Sequence, residues 1–245
     1  MKAIIYYSMS ITALAVTFAG CTPGPAPQPK AVVKVADQQL QEARKKLQQE
    51  DNATSEIAWK LGQACFQRAE FAKDDTERAR LAQEGIDACR KLVAAEPDNV
   101  GGHYYLAMNL GQMCRVKQLQ ALGMVKDMER HFNRARDLDE RFSHAGPDRN
   151  LGLLYFRAPR FISVGDKKKA MRHLRRAAEL APDYPANRLN LLEALIDAGD
   201  QPGIERERAV LQKMLPAARE KFQGDEWAAD WLDWDQRWPQ LRGHQ

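Results

Sequence analysis

The run Leu151-Gly152-Leu153-Leu154-Tyr155, followed after a loop by Ala170, Leu174, Ala177, Leu180 and Pro182, constrains this chain more than any other feature. Apolar residues recur at three- and four-residue steps in both stretches, which is the period of one helix face. Gly152 and Ala170 carry almost no side chain, so two antiparallel helices can approach closely while Tyr155 and Leu174 fill the groove beside them. Pro182 lacks the N–H that a helix interior needs and stops the second helix. A hairpin of this kind cannot bury its apolar face alone, so the pattern demands stacked neighbours.

The neighbours are present. One precedes it, with Leu106, Ala107 and Leu110 on a first helix and Met128, Phe132, Ala135 and Leu138 on a second. An earlier unit pairs Trp59, Leu61, Gly62 and Cys65 with Gly85, Ile86, Cys89, Leu92 and Pro97, and a last one runs from Leu191, Leu192 and Leu195 through Ala209, Leu211 and Leu215. No segment alternates apolar and polar residues over a strand's length. These units resemble the tetratricopeptide repeat at stretched spacing. The expected fold is all-α, an array of about four antiparallel helix pairs forming a tetratricopeptide-repeat-like solenoid over residues 37–222. The pattern is interrupted between Arg141 and Lys169, where Ala145-Gly146-Pro147 precedes the third pair and residues 158–166 split it.

Residues 1–20 read as a signal peptide: Lys2, an apolar stretch from Ala3 to Phe18, then small residues before Cys21. A cysteine directly after such a site resembles the bacterial lipobox, with Phe18 where Leu is usual. The expectation is lipidation at Cys21 and a membrane anchor on the periplasmic side, with Thr22 implying the outer membrane. Residues 21–36 hold four of the twelve prolines and no acid before Asp37, a composition expected to act as an extended tether.

The remaining body carries closely mixed charges, 37 basic against 33 acidic residues in the whole chain, which argues for solvated helix faces and against a nucleic-acid partner. With Cys21 acylated, Cys65, Cys89 and Cys114 are left, an odd number that excludes a disulfide framework; either three buried thiols or one Cys65–Cys89 bridge is allowed. His103, His131, His144, His173 and His244 stand singly, without metal-ligand spacing. Neither a glycine-rich phosphate loop nor a G-x-S-x-G turn occurs. The expectation is no catalytic residue, no metal and no cofactor.

Two clusters remain. Lys167, Lys168, Lys169, Arg172, Arg175 and Arg176, with Arg157 and Arg160 just before them, form a basic helix start suited to solvent, anionic head groups or an acidic partner. Trp227, Trp231, Trp234 and Trp238 fall on one face of a helix expected from about Asp225. Residues 223–245 then form either a capping helix that closes the array or an aromatic docking face.

The run from Gly102-His103-Tyr104-Tyr105-Leu106-Ala107 through AGPDRNLGLLYFRAP and VGDKKKA to Ala181-Pro182-Asp183-Tyr184-Pro185 is similar to the lipoprotein T component of tripartite TRAP-type transporters. The resemblance spans roughly residues 54–200 and is most specific over 145–195; Phe161-Ile162 and the Trp-rich tail depart from it. It implies a periplasmic helical scaffold that assists solute uptake, with a solute-binding protein or other envelope protein as partner. A small apolar ligand and a homo-oligomer belong to the same expectation. Residues assigned to packing are Leu106, Ala107, Phe132, Ala135, Leu151, Gly152, Tyr155, Ala170, Leu174, Ala177 and Pro182. Tyr104, Asn109, Tyr155 and Asn190 are candidates for the groove, each equally able to serve packing. A structural lipoprotein of an outer-membrane insertion or pilus machine is the alternative.

Overall fold

The computed structural model describes residues 29–49, 55–117, 120–160 and 163–243. Among them regular structure is entirely helical: α1 (Pro29–Gln49), α2 (Ser55–Glu70), α3 (Asp75–Ala95), α4 (Val100–Val116), α5 (Ala121–Leu138), α6 (Phe142–Arg157), α7 (Lys167–Leu180), α8 (Pro185–Ala198), α9 (Gln201–Lys221) and α10 (Ala228–Gly243), with a 3-10 turn at Asp225–Trp227. Helices α2/α3, α4/α5, α6/α7 and α8/α9 form the four hairpins, each stacked on the next, and the first helices α2, α4, α6 and α8 also touch in succession. The fold is the all-α array of antiparallel pairs that the apolar spacing implies.

Local chemistry sets the helix ends. Asp74, Asn99 and Asp200 accept hydrogen bonds from the backbone N–H of Glu77, Gly102 and Gly203 at 2.7, 2.8 and 3.1 Å, satisfying donors that a helix start leaves open. Asp166 does the same for Lys168 and Lys169 at the head of α7. Gly199 ends α8 with φ 69°, a left-handed conformation that costs glycine little. Helix α4 is buried on nearly every side, from Gly101 to Cys114, which makes it the centre of the larger core.

The third hairpin is packed as closely as its small residues require. A methyl group on Gly152 would stand 2.7 Å from Cγ and Cδ2 of Leu174 and 3.1 Å from the Leu174 backbone nitrogen. Ala170 and Ala177 are fully buried. Ahead of this hairpin, Ser143, His144 and Ala145 all adopt left-handed backbone, with φ of 51, 57 and 58°. Such a conformation costs an L-residue about 1–2 kcal/mol. It is held by Arg149, whose Nη1 donates to the carbonyls of Ser143 and His144 at 3.2 and 2.9 Å, and by Asn187, which reaches the His144 carbonyl from α8 at 3.1 Å.

Two expectations change. The stretch read as an extended tether through residue 36 is helical from Pro29, because proline is tolerated in a first helical turn and Val32, Ala36, Leu40 and Ala43 then follow at helical steps and are buried. Arg44 fixes α1 to α3 through a two-pronged pair with Glu84 at 2.7 and 2.6 Å. Cys21, the signal peptide and the rest of the tether lie outside the described residues. At the other end, the tryptophan helix starts at Ala228 rather than Asp225, leaving Trp227 in the 3-10 turn. Trp231 and Trp234 are buried with Tyr184 and Phe222, and Trp231 Nε1 donates to the Phe222 carbonyl at 2.8 Å. Helix α10 packs along α8, and both it and the preceding turn touch α1, so the first and last helices meet.

Candidate functional site

Between the stacked first helices and α10 lies a cavity of about 180 Å³. Its lining follows from helix geometry, because side chains three residues apart share a face. Gln112 and Arg115 on α4, Leu154 and Arg157 on α6, Asn190 and Glu193 on α8, and Arg237 and Gln240 on α10 are such pairs, and all border the cavity; α2 adds Phe66 and Glu70 one turn apart. Its apolar part comes from Met108, Met128, Phe132, Leu153, Leu154 and Leu241.

The polar part is a ladder of charges running from helix to helix. Glu70 of α2 receives Arg115 Nη1 of α4 at 3.3 Å and also the Gln112 amide. Arg157 of α6 pairs with Glu193 of α8, which is met from the other side by Arg237 of α10 at 3.2 Å. Arg237 is held in turn by Asn190 at 2.7 Å and by Asp233 at 3.2 Å. Burial pushes the Glu70 carboxyl above the ordinary carboxylate range against the opposing pull of Arg115, and does the same to Asp233 against Arg237. The ladder alternates in sign except at one step: the successive inner helices α4 and α6 both contribute arginine. Nε of Arg157 is buried without a hydrogen-bond partner.

Of the four groove candidates, the structure brings only Asn190 to the cavity. Tyr104 is buried among Tyr105, Phe132 and Phe142, with its hydroxyl receiving Asn150 at 2.8 Å. Asn109 is fully buried where α2, α3 and α4 converge and donates to the carbonyls of Gly62 and Tyr105, both at 2.8 Å. Tyr155 points toward α5, its hydroxyl donating to Glu129 at 2.7 Å. These three are packing residues, because a helix in the middle of a stack buries more than one face. The arginines and glutamates of the ladder were not singled out from sequence as a site; their signal is a charged residue three or four positions beyond a polar or apolar one in each first helix.

The basic run on α7 is distributed among neighbours. Lys167 pairs with Asp197 at 2.8 Å and lies 3.8 Å from the Phe156 ring centre, and Arg176 pairs with Glu140 at 2.8 Å. His173 Nδ1–H donates to Asp148 at 2.6 Å, with both residues buried between α6 and α7. His103 Nε2–H donates to the Pro97 carbonyl at 2.9 Å, which leaves its Nδ1 to accept from His131 at 2.7 Å. Burial lowers the pKa of His131 to about 4. Cys65, Cys89 and Cys114 are buried free thiols, and burial raises Cys89 and Cys114 to about 12. Among the described residues no group of three or more His, Cys, Asp or Glu gathers as a metal site, and no helix is long and apolar enough to cross a membrane.

Stacked hairpins with small residues at the crossings define a tetratricopeptide-like helical repeat scaffold. The thermophilic TPR protein TTC0263 of Thermus thermophilus has a similar structure, with a TM-score of 0.61 and 16% sequence identity over 87% of this chain and 98% of that one. A family model described as regulator of microtubule dynamics protein 1-3 matches residues 30–145, from α1 to the left-handed turn in α6. No curated protein matches.

Proposed function

We propose that this chain is a non-enzymatic repeat scaffold, anchored through lipidated Cys21 to the outer membrane from the periplasmic side, that binds a ligand and a partner protein in service of a TRAP-type uptake system. The observation that carries the binding role is the convergence of four successive first helices and α10 on one cavity with an apolar floor and a charged wall. Cavities that join apolar surface to a few placed polar groups are the usual form of a small-molecule site. The resemblance to the T component over residues 54–200 supports the transporter assignment, since that span contains α2 to α8 and hence most of the lining. The match to the microtubule-regulator family ends before most of α6 and is read as shared repeat architecture.

The test is affinity purification of the full lipidated chain from its native membranes, followed by identification of what stays bound. Recovery of a solute-binding protein supports the reading. Recovery of outer-membrane insertion or pilus components in its place sinks the transporter assignment. In parallel, Cys21→Ser should release the protein from membranes; retention there removes the lipid anchor from the proposal.

A further inference from the structure

Successive packed helices joined by short loops run antiparallel, so the starts of α1, α3, α5, α7 and α9 share one rim of the array with the ends of the other five helices. Contacts along that rim agree. Arg68 near the end of α2 meets Asp37 of α1 and Glu77 of α3, Arg115 near the end of α4 meets Glu70 of α2, and Lys167 at the start of α7 meets Asp197 near the end of α8. At the opposite rim Ser55 meets Glu96, Arg176 meets Glu140 and Lys221 meets Asp183.

The two rims differ in charge. The first presents Lys30, Lys73, Lys117, Lys168, Lys169 and Arg242, all exposed and none in an ion pair among the described residues. Its acids are already engaged: Asp74, Asp166 and Asp200 cap helices, and Asp75 and Asp197 meet Arg78 and Lys167. The loops of the opposite rim are acidic, with Glu96, Asp98, Asp139, Asp183, Asp225 and Glu226 exposed. Leu122, a large apolar side chain left 42% exposed, stands in the first turn of α5 and therefore on the basic rim.

The chain enters the array at this same rim. Pro29 opens α1, and Cys21 lies eight residues before it, a span of at most about 29 Å of extended chain. The acidic rim is a helix length further on, about 31 Å for the 21 residues of α3. Charges in salt act over only about 8 Å, so a membrane at the tether would feel the lysines and hardly the acids.

We propose that the rim carrying the starts of α1, α3, α5 and α7 is a docking surface for anionic phospholipid, which stands the array on the membrane with its acidic rim turned away. The geometry rests on the reading of Cys21 as the lipid anchor, whereas the attraction belongs to the rim and is measured without the acyl chain.

The experiment is cosedimentation of residues 21–245 carrying Cys21→Ser with vesicles of equal parts phosphatidylglycerol and phosphatidylcholine, or of phosphatidylcholine alone, at low salt. The protein should bind the anionic vesicles only, and about tenfold or more weakly once salt reaches about 0.15 M. Lys73→Gln, Lys117→Gln and Lys168→Gln together should weaken binding about a hundredfold, at about fivefold per lysine. Lys45→Gln, Lys46→Gln and Lys91→Gln, which take the same charge from the part of α1 and α3 nearer the other rim, should leave binding as in the parent. Equal loss in the two triple variants, equal binding to phosphatidylcholine alone, or capture of polyglutamate with no vesicle binding overturns the proposal. If vesicle binding is absent while Cys21→Ser still leaves native membranes, the docking surface falls and the lipid anchor stands.

Discussion

Gly152→Ala measures how close the third hairpin is. In an open helix this substitution stabilises, since alanine is favoured over glycine by about 0.5–1 kcal/mol. Here the new methyl would lie 2.7 Å from Leu174 Cγ, an atom that cannot move without a change of χ1, and 3.1 Å from a backbone nitrogen. Crowding of this kind costs about 1–3 kcal/mol, so the net effect is a loss of about 1–2 kcal/mol. For a body of this size that lowers Tm by about 3–6 °C in a thermal melt. Gly123→Ala, on α5 with nothing within 4 Å, is the control and should be neutral or stabilising. Leu174→Ala alone should cost about 2–5 kcal/mol. Combined with Gly152→Ala it should cost about 1 kcal/mol less than the sum, because the clash disappears with the leucine. Gly152→Ala behaving like Gly123→Ala, or strict additivity with Leu174→Ala, would refute the close approach and with it the packing logic of the array.

Trp234→Ala should destabilise by about 3–5 kcal/mol and expose α10 to limited proteolysis, since the indole is 1% exposed and packs on Tyr184 and Phe222. Asp230→Asn should raise stability at pH 7. Burial lifts Asp230 to about 6, so the folded state binds the extra proton and stability from this group falls as pH rises from about 3.8 to about 6; melts of the variant should lose that slope. His131 acts in the opposite sense. Its pKa is lowered from 6.5 to about 4, so it contributes stability above pH 6.5 that is lost as pH falls toward 4, and His131→Phe should remove that loss in the same assay. Denatured, unreduced protein should react with thiol reagent at Cys65, Cys89 and Cys114, while native protein should react slowly at all three; a Cys65–Cys89 bridge would contradict the buried thiols.

Much of the hairpin array was legible because it rests on local spacing. Gly152, Ala170 and Leu174 declare a close crossing whatever surrounds them, whereas the helix-start caps Asp74, Asn99, Asp166 and Asp200 were seen only in the structure. Helix α1 was obscured by prolines 23, 25, 27 and 29, whose composition suggests an extended chain until Val32 begins a buried four-residue period. Tyr104, Asn109 and Tyr155 were open between groove and packing for a related reason. Periodicity identifies a face, but it does not say which neighbour covers that face, and in this stack α3 and α5 cover what could have been groove.

The amino-acid sequence by itself determined that this chain is helical, paired and repeated, because those properties depend on residues within one or two turns of each other. Tertiary structure alone decided where the inner face lies, that α10 runs back along α8 to meet it, and that Arg115 and Arg157 from neighbouring helices border one cavity. Those relations join residues tens to more than a hundred positions apart. They arise only when the accumulated rotation from one hairpin to the next brings distant helices around a common space.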